Sequence, residues 1–513
     1  MTTPRVRLGD LLAAAKLADA ELCQPVALEA RALGTGGPGS PGGPIVSDVV
    51  VASRDVTPGA LFACVKGAKV DGHDFAPAAF ARGASALLCE RRLDVALPQI
   101  LVRSVRDALG PVSAAFWSHP SAGMAVVGVT GTNGKTTTCA LLAAIFRAHG
   151  WPASVIGTLT GERTTPDAPT LQRRLAELRD GGDCAVAMEV SSHALQQNRV
   201  GGTDFAAGVF NNLSQDHLDY HRTMESYFEA KALLFTQQSV RLAVVNRAGP
   251  WGAKLVARLA GGPLPVVTFS PDDATEVEVW ARGARFCWRG KRFELNIGGR
   301  FNVANAVAAA TTAVELGAGL EAVAEGLANL ETVKGRFQAV DVGQPFDVVV
   351  DFAHTPAALE GAINAARDLV AQRAQASTGA VNSLRPPVTS RPGRVLVVFG
   401  AGGDRDKSKR PLMGRVASML ADVAIVTSDN PRSEPPLAIM EEILGGAEAG
   451  KVVAEPDRAR AITSAVMAAL PGDVVLIAGK GHETGQDFGT HVQPFDDVDV
   501  AREAIEQKLS RPI

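Results

Sequence analysis

The sequence predicts an α/β protein with three domains, and three observations support this prediction. With 513 residues, the chain is too long for one hydrophobic core at roughly 150 residues per domain. Short β-branched segments alternate with alanine-rich helical segments, which is the pattern of strand–helix units in parallel sheets. The pattern breaks near Ala122 and near Gly343. We therefore expect a smaller N-terminal α/β domain over 1–122, a central domain over 123–343 and a C-terminal domain over 344–513.

The central domain should contain a P-loop-type parallel sheet with helices, and the C-terminal domain a Rossmann-like sheet. Strands are expected at Met124–Val129, Ala185–Val190, Leu242–Asn246, Phe346–Asp351, Arg394–Phe399, Val423–Thr427 and Val474–Ala478. Helices are expected at Thr136–His149, Met224–Thr236, Val303–Leu316, Pro356–Ala371 and Asp457–Leu470. Two stretches rich in helix and strand breakers interrupt this order. Residues 34–44 should form a flexible surface loop, and residues 371–393 an insertion between a helix and a strand.

Composition and charge exclude several other classes of protein. Apolar residues make up 46% and charged residues 20%, which is the composition of a globular chain. The 51 basic and 54 acidic side chains leave a net charge of −3, so we expect no nucleic-acid partner. The sequence has neither an 18-residue apolar run nor a signal-peptide pattern, so we expect a cytoplasmic protein without a membrane partner. We also expect a monomer. The six cysteines lie apart with no C-x-x-C spacing, which disfavours disulfides and structural zinc.

Residues 124–138 (MAVVGVTGTNGKTTT) predict a phosphate-binding loop. An apolar strand enters a glycine-rich turn that ends in Gly134-Lys135-Thr136, and a helix follows, so backbone N–H groups and the helix dipole would face phosphate oxygens. Lys135 would reach the β- and γ-phosphates, and the Thr136 hydroxyl would bind Mg²⁺. The strict G-x-x-x-x-G-K-[ST] pattern is missed by one residue, because the glycine is Gly128. The strand before and the helix after favour a P-loop over a chance glycine turn.

Two charged residues of the central domain leave alternatives open. Glu189 lies in an otherwise apolar strand, where a carboxylate is costly to bury unless it meets a cation, so it is either a metal ligand or a satisfied structural group. Residues 211–221 (NNLSQDHLDYH) place two histidines and two aspartates in one loop, a source of one more ligand. Lys231 lies on the helix MESYFEAKALLF, and its position alone favours a solvated helix face.

Four predicted strands of the C-terminal domain each end in a polar cluster. The clusters are Asp351–Pro356, Gly402–Lys407, Asp429–Arg432 and Gly479–Glu483. In open parallel sheets the ligand crevice lies at the carboxyl ends of the strands, so four such clusters are expected to meet at one site. Their mixture of arginines and carboxylates suits a small zwitterionic ligand.

These motifs resemble the Mur ligase family, the ATP-dependent amide-forming enzymes of peptidoglycan precursor synthesis, over nearly the whole chain. The motifs are GVTGTNGKTTT at 128–138, TTP at 164–166, MEVSSHAL at 188–195, GRFNVAN at 299–305, DFAHTP at 351–356, GAGGDRDKSKRPLMG at 400–414, DNPR at 429–432 and GKGHE at 479–483. DNPR together with GKGHE resembles the members that add diaminopimelate. One departure is Ala52-Ser53-Arg54, where relatives usually show Asp-Ser-Arg.

The resemblance implies a role for each matching residue. The uridine nucleotide would be bound by Val51, Ser53, Ala68, Lys69 and Val70. The muramoyl-dipeptide attached to it would be bound by Thr164, Thr165, Ser191, Gln197 and Arg199. ATP would be bound by Gly131, Thr132, Asn133, Gly134, Lys135, Thr136, Thr137, Asn302 and Arg336. Diaminopimelate would be bound by Arg405, Asp429, Asn430, Pro431, Arg432, Gly479 and Glu483. Mg²⁺ would be held by Thr136, Glu189, His217 and Lys231, with Lys231 carbamylated by CO₂.

The resemblance also implies the reaction and its three substrates: UDP-N-acetylmuramoyl-L-alanyl-D-glutamate, meso-2,6-diaminopimelate and ATP. The D-glutamyl γ-carboxylate would attack the γ-phosphate of ATP, and the diaminopimelate amine would then displace phosphate from the acyl phosphate. Lys135, Lys231 and His217 would act in catalysis, and His354 is a candidate base for the amine.

Three other functions remain to be compared with this one. A P-loop switch or motor would hydrolyse ATP without an acceptor, but it leaves the four C-terminal clusters unexplained. A related ligase that adds lysine or glutamate would share the ATP site and differ at DNPR. A nucleotide-binding scaffold without catalysis is disfavoured because Lys135, Glu189, His217 and Lys231 are all present.

Overall fold

The computed structural model of the chain describes residues 3–17, 20–23, 43–67, 70–379 and 391–511. Its N-terminal part contains β1 (Val6–Arg7), α1 (Leu8–Ala15), β2 (Glu21–Cys23), β3 (Ile45–Val46), β4 (Asp48–Val50), β5 (Ala60–Ala63), α2 (Ala76–Ala81), β6 (Ala86–Cys89), β7 (Gln99–Leu101) and α3 (Val105–Phe116). Strands β4 to β7 are parallel neighbours in one sheet, and β2 joins β7 antiparallel at its edge. Helices α1 and α3 pack together over the inner face of this sheet.

The central part continues the strand–helix alternation. Its elements are β8 (Ala125–Thr130), α4 (Lys135–Ala148), β9 (Ala153–Ile156), α5 (Ala168–Asp180), β10 (Ala185–Glu189), α6 (Ser192–Gln196), β11 (Asp204–Phe205), β12 (Ala207–Phe210), α7 (Leu218–His221), α8 (Met224–Thr236), β13 (Ser239–Val240), β14 (Ala243–Asn246), α9 (Pro250–Leu259), β15 (Val266–Phe269), β16 (Thr275–Trp280), β17 (Gly283–Trp288), β18 (Lys291–Leu295), α10 (Arg300–Glu315) and α11 (Leu320–Ala328).

The main central sheet has the strand order β15-β14-β12-β8-β10-β9, and every pairing in it is parallel. Its strands read as continuous apolar runs because helices cover both faces. Strand β8 lies between β12 and β10, so the carboxyl ends of these strands meet where α4 begins. This places the glycine-rich turn after β8 beside the last residue of β10, Glu189, and beside Asn211, which follows β12.

The C-terminal part forms a second parallel sheet. Its elements are β19 (Gln338–Ala339), β20 (Asp347–Asp351), α12 (Pro356–Gly379), β21 (Val395–Phe399), α13 (Lys409–Leu420), β22 (Val423–Val426), α14 (Pro436–Leu444), β23 (Val452–Ala454), α15 (Arg458–Ala468), β24 (Val474–Ala478), β25 (Gly485–Asp487), β26 (Val492–Pro494) and α16 (Asp497–Leu509). The sheet order is β19-β20-β24-β21-β22-β23, and only the β19–β20 pairing is antiparallel among the strands described. The apolar core continues from the central sheet into this one through α10 and α12.

The predicted α/β class with parallel sheets is confirmed, and each predicted strand and helix exists. Their ends lie within a few residues of those expected, except at the C-terminal end of α12. The exact boundaries at 122/123 and 343/344 stay predictions. The insertion over 371–393 is wrong in its first part, because α12 continues to Gly379. Residues 380–390 and 34–42 lie outside the described residues, as do the predicted uridine contacts Ala68 and Lys69. Within the described ranges, every helix is too short or too polar to cross a membrane.

Candidate active site

The glycine-rich turn after β8 has the geometry of a phosphate loop. Gly134 precedes α4 in the left-handed region with φ of 83°, and a Cβ there would lie 2.2 Å from Asn305 Oδ1, so only glycine fits. Lys135 Nζ folds back on the turn and donates to the carbonyl oxygens of Gly131 and Thr132, both at 2.9 Å. Asn133 N donates to Asn212 Oδ1 at 2.9 Å, which fastens the turn to the loop after β12. The turn is therefore held open toward the carboxyl end of the sheet.

Thr136, in the first turn of α4, links this loop to two charged side chains. Its hydroxyl donates to Glu189 Oε1 at 3.0 Å and accepts from Arg336 Nη2 at 2.9 Å. Glu189 is 1% exposed, and its Oε1 also accepts from the backbone N–H of Thr158 at 2.8 Å. A Cβ at Gly157 would lie 2.4 Å from the same oxygen. The Glu189 carboxylate is therefore fixed beside the phosphate loop by the Thr136 hydroxyl and by the backbone N–H of Thr158.

The remaining predicted ATP contacts lie around the same turn. Thr132 and Thr137 are buried, and Thr132 Oγ1 donates to Ser214 O at 3.2 Å. Asn302 is wholly buried on α10, where its Nδ2 donates to Gly298 O at 2.8 Å and its Oδ1 accepts from Asn305 Nδ2 at 3.0 Å. Asn302 thus supports the wall of the loop through Asn305, which touches Gly134.

Lys231 does not lie on a solvated face, so the expectation from its helix position is wrong. It is 1% exposed, and its Nζ donates to Gly131 O at 2.8 Å and lies 4.5 Å from the centre of the Tyr227 ring. Burial, together with the charge of Lys135, lowers the pKa of Lys231 well below its ordinary value. Helix α8 packs against α6 and α7, and Lys231 on this helix faces the phosphate loop at Gly131. Burial therefore favours the neutral amine of Lys231 over its ammonium form.

The loop before α7 brings Asp216 into contact with residues of the C-terminal part. Asp216 is 5% exposed, and its carboxylate lies 3.4 Å from His217 Nε2, 3.8 Å from His354 Nε2 and 3.7 Å from Lys409 Nζ. Gln215 Nε2 also donates to Ser408 Oγ at 3.3 Å. Burial raises the pKa of the Asp216 carboxyl, but His217, His354 and Lys409 outweigh it and hold the pKa below its ordinary value.

The histidines of the site are held neutral. Burial lowers the pKa of His217 to about 3, and burial lowers that of His354 below its ordinary value. His354 Nδ1 lies 2.8 Å from Phe352 O, and since a carbonyl only accepts, the proton is on Nδ1. Nε2 of His354 therefore keeps a lone pair, at the junction of the central and C-terminal sheets.

The predicted muramoyl-dipeptide contacts come together in one connected cluster. Thr165 Oγ1 donates to Glu189 O at 2.9 Å and accepts from the backbone N–H of Ser191 at 3.1 Å. Arg199 donates to Thr165 O at 3.2 Å and to Gln197 Oε1 at 2.8 Å. Thr164 Oγ1 lies 3.0 Å from Thr158 Oγ1. The predicted uridine contacts Val51, Ser53 and Val70 belong to the N-terminal part, with Ser53 partly exposed and Val70 61% exposed.

The C-terminal clusters follow the adjacent parallel strands β20, β24, β21 and β22. Asp429, Asn430 and Pro431 are buried at the end of β22. Gly479 has φ of 120°, and a Cβ there would lie 2.5 Å from Asp429 Oδ2. Asn430 Nδ2 donates to Glu483 Oε2 at 2.6 Å, and Arg432 Nη1 donates to Gly403 O at 2.6 Å. Arg405 is exposed and donates to Asp404 O at 3.1 Å.

Arg336 connects the two strand-end sites. Its guanidinium lies 4.5 Å from the centre of the Phe352 ring while its Nη2 donates to Thr136. The adjacent Phe337 N donates to Asp351 Oδ2 at 2.7 Å, and burial raises the pKa of Asp351 to about 6 against the opposing charge of Arg336. A Cβ at Gly335 would lie 2.1 Å from His482 N, so the GKGHE loop packs directly on this connection.

The donor set around Thr136 suits a magnesium ion. Thr136 and Glu189 supply a hydroxyl and a carboxylate oxygen 3.0 Å apart, and Mg²⁺ is held in proteins by one or two such oxygens together with phosphates and water. No group of three or more His, Cys, Asp or Glu side chains that could hold a metal exists among the described residues. The protein alone therefore offers a partial magnesium shell that phosphate oxygens would have to complete.

Sequence reasoning missed three residues that organise the site. Asp216 and Lys409 pair across the junction, and Asn211 Nδ2 donates to Thr138 Oγ1 at 2.9 Å beside Gly134. The acidic loop 211–221 was a signal for Asp216, but its partners lie at positions 354 and 409, and no local pattern connects them.

The fold and this site define a multidomain α/β protein of the P-loop type. Family descriptions match three stretches: "Mur ligase family, catalytic domain" over 46–117, "Mur ligase middle domain" over 129–313 and "Mur ligase, glutamate ligase domain" over 375–481. The UDP-N-acetylmuramoyl-L-alanyl-D-glutamate–2,6-diaminopimelate ligase of Geobacillus kaustophilus is 44% identical over 496 residues, which cover 91% of this chain and 96% of that protein. The chain belongs to the Mur ligase family.

Two further relatives carry the same enzyme name. The ligase of Geobacillus thermodenitrificans is 42% identical over 494 residues, covering 91% of this chain and 96% of its own. A solved structure of a ligase with this name is 31% identical, has a TM-score of 0.62 and matches 91% of this chain and 96% of that chain.

Proposed function

We propose that this chain is an ATP-dependent ligase that joins meso-2,6-diaminopimelate to the D-glutamyl γ-carboxylate of UDP-N-acetylmuramoyl-L-alanyl-D-glutamate. The observation that carries the proposal is the meeting of two sites across one junction. The phosphate loop lies at the carboxyl ends of the central strands. The residues predicted to bind the amino-acid substrate, Asp429, Asn430, Arg432 and Glu483, which we call the acceptor cluster, lie at the carboxyl ends of the C-terminal strands. Arg336 and Asp216 connect the central and C-terminal parts. Relatives with 44% and 42% identity over nine-tenths of the chain carry this enzyme name.

In the first step a carboxylate oxygen attacks the γ-phosphorus of ATP, giving an acyl phosphate and ADP. Both reactants are anionic, so positive groups must surround the transferred phosphoryl group. Lys135 lies at the loop, where its Nζ would turn from the carbonyls of Gly131 and Thr132 to the phosphates. Arg336, whose Nη2 donates to Thr136, adds a second cation beside the loop. Thr165, Ser191 and Arg199 would hold the dipeptide whose carboxylate reacts.

In the second step the diaminopimelate amine attacks the acyl carbonyl, the C–N bond forms and phosphate leaves with the C–O electron pair. The amine must lose a proton, and His354 Nε2 is placed to accept it, since Nδ1 is already protonated and the ring is neutral at pH 7. Asp216, 3.8 Å from Nε2, would stabilise the imidazolium that forms. The acceptor is held by the cluster of Asp429, Asn430, Arg432 and Glu483.

Magnesium and carbon dioxide belong to this proposal as well. Thr136 and Glu189 would hold Mg²⁺, with His217 and Lys231 near a second ion, and the metal would neutralise phosphate charge when bound. The buried amine of Lys231 would react with CO₂, forming an N–C bond and releasing one proton, to give a carbamate. That change turns a neutral side chain into an anion beside Lys135 and so adds a negative oxygen donor to the site.

The test is product formation with each substrate omitted in turn. ADP and phosphate should appear only when the nucleotide-dipeptide, ATP and diaminopimelate are all present, because the two sites supply different reactants. Replacement of diaminopimelate by lysine or glutamate should lower turnover strongly. Robust ATP hydrolysis by the protein alone would favour a P-loop switch instead, and preferred use of lysine would favour a related ligase. We further propose that the enzyme works as a cytoplasmic monomer.

A further inference from the structure

Lys480 is the second residue of the GKGHE loop, and the structure buries it completely. Its side chain is 0% exposed, at the carboxyl end of β24. Nζ donates to Asn430 Oδ1 at 3.0 Å, to Glu483 Oε2 at 3.1 Å and to Gly485 O at 2.5 Å. An ammonium group has three N–H donors, so all three are used inside the protein. Lys480 is therefore not itself free to bind a ligand.

Two residues that accept these hydrogen bonds, Asn430 and Glu483, are members of the acceptor cluster. Asn430 Oδ1 receives Lys480 Nζ and the backbone N–H of Asp487 at 2.9 Å, which fixes the amide so that its Nδ2 points to Glu483. Glu483 Oε2 receives both Lys480 and Asn430, so its carboxylate is held in one orientation. Among the described residues, no hydrogen bond ends on Glu483 Oε1. A buried network of this kind orients its members only while every partner is present.

We propose that Lys480 is a positioning residue for the amino-acid acceptor: it fixes Asn430 and Glu483 so that Glu483 Oε1 receives an ammonium group of the ligand. This inference rests on the proposed function. Lys480 Nζ is the ion-pair partner of Glu483 at 3.1 Å, so its removal would leave a partly buried carboxylate without that partner. Since lysine and diaminopimelate both bring an ammonium group, Lys480 should govern affinity for either acceptor and leave the preference between them unchanged.

The test compares Lys480→Met with a matched lysine elsewhere in the same domain. Lys508 Nζ also donates to three carbonyl oxygens, those of Val466, Met467 and Ala469, at the amino end of the sheet and away from Gly479. Lys480→Met should raise the KM of diaminopimelate by about tenfold or more, with kcat changed less than about threefold and the KM of ATP nearly constant. Lys508→Met should lower thermal stability and leave all three constants at wild-type values.

A double variant separates positioning from simple support of the fold. In a Glu483→Gln background, Lys480→Met should change the KM of diaminopimelate by less than about threefold, because the charge it positions is gone. If Lys480→Met does not fold, Lys480→Gln serves in its place, with a smaller rise in KM because its amide still donates. The inference is overturned if the KM of diaminopimelate stays at the wild-type value in Lys480→Met or in Lys480→Gln. It is also overturned if Lys480→Met raises this KM equally in the wild-type and Glu483→Gln backgrounds.

The wild-type protein is assayed first, so that failure of the proposed function can be distinguished from failure of the role of Lys480. If it does not ligate diaminopimelate, the proposed function is wrong and this inference falls with it. If it does, and the variants behave as wild type, only the role of Lys480 is wrong.

Discussion

Arg432 is the residue on which we expect the preference for diaminopimelate over lysine to depend. Diaminopimelate differs from lysine by one additional carboxylate, so discrimination requires a cation placed for that group. Arg432 Nη1 donates to Gly403 O at 2.6 Å, and its Nε lies 3.7 Å from Asp487 Oδ2, which holds the guanidinium in one direction. Within the described part of the chain, Nη2 donates no hydrogen bond, so its two donors remain for a ligand carboxylate.

The size of the effect follows from burial. A hydrogen bond to a charged group contributes about 1.5–3 kcal/mol, and the Arg432 side chain is 24% exposed, which favours the lower half of that range because water screens the pair. Arg432→Ala should therefore raise the KM of diaminopimelate by about 12- to 40-fold. Lysine lacks the second carboxylate and so loses no such contact. The ratio of kcat/KM for diaminopimelate to kcat/KM for lysine should therefore fall by a similar factor. The KM of ATP should stay nearly constant.

Steady-state kinetics with each acceptor at saturating ATP and nucleotide substrate measures these constants. The control is Arg460→Ala on α15, since Arg460 is exposed and pairs with Glu455 at 3.4 Å outside the site. If the KM of diaminopimelate in Arg432→Ala stays within about twofold of wild type while the control also behaves as wild type, Arg432 is not the specificity residue. Arg405 would then be the next candidate, as the other arginine of the predicted acceptor set.

Three further outcomes are expected. Lys231→Ala should abolish most turnover, and a small carboxylic acid in the buffer should partly restore it; full activity without the acid would show that no carbamate is needed. Arg458 and Asp497 form an ion pair with both side chains 0% exposed, so Arg458→Ala should lower the free energy of unfolding by about 3–5 kcal/mol, and a loss below about 1 kcal/mol in chemical denaturation would refute that burial argument. Burial lowers the pKa of His221 and of His482 to about 4, below the ordinary histidine value of 6.5. Between pH 6.5 and pH 4 the unfolded chain therefore binds protons at these side chains that the folded protein does not, so stability should fall as pH drops through that range. Substituting both histidines with Gln should make this decline less steep, and an unchanged slope would contradict the argument.

Local patterns were sufficient for the fold class and for the phosphate loop. Strands β8 and β10 are recognisable because they are continuous apolar runs, and such runs are typical of parallel strands buried on both faces. The loop before Lys135 is recognisable because glycine is required where backbone approaches Asn305 and, by expectation, phosphate. Strand alternation also placed the four C-terminal clusters at one sheet edge, since parallel strands share their carboxyl ends.

The tertiary structure decided what surrounds each charged side chain. The position of Lys231 on α8 favoured solvent, yet the side chain is buried, and its Nζ donates to the carbonyl of Gly131, 100 residues away along the chain. Asp216 makes contacts across the junction because the folded chain brings His354 and Lys409 beside it. Lys480 is buried, and its Nζ donates hydrogen bonds to Asn430 and Glu483. Periodicity along a chain reports which face of an element is apolar, but the burial and the partners of a single charge depend on elements distant in sequence, and these meet only in the folded protein.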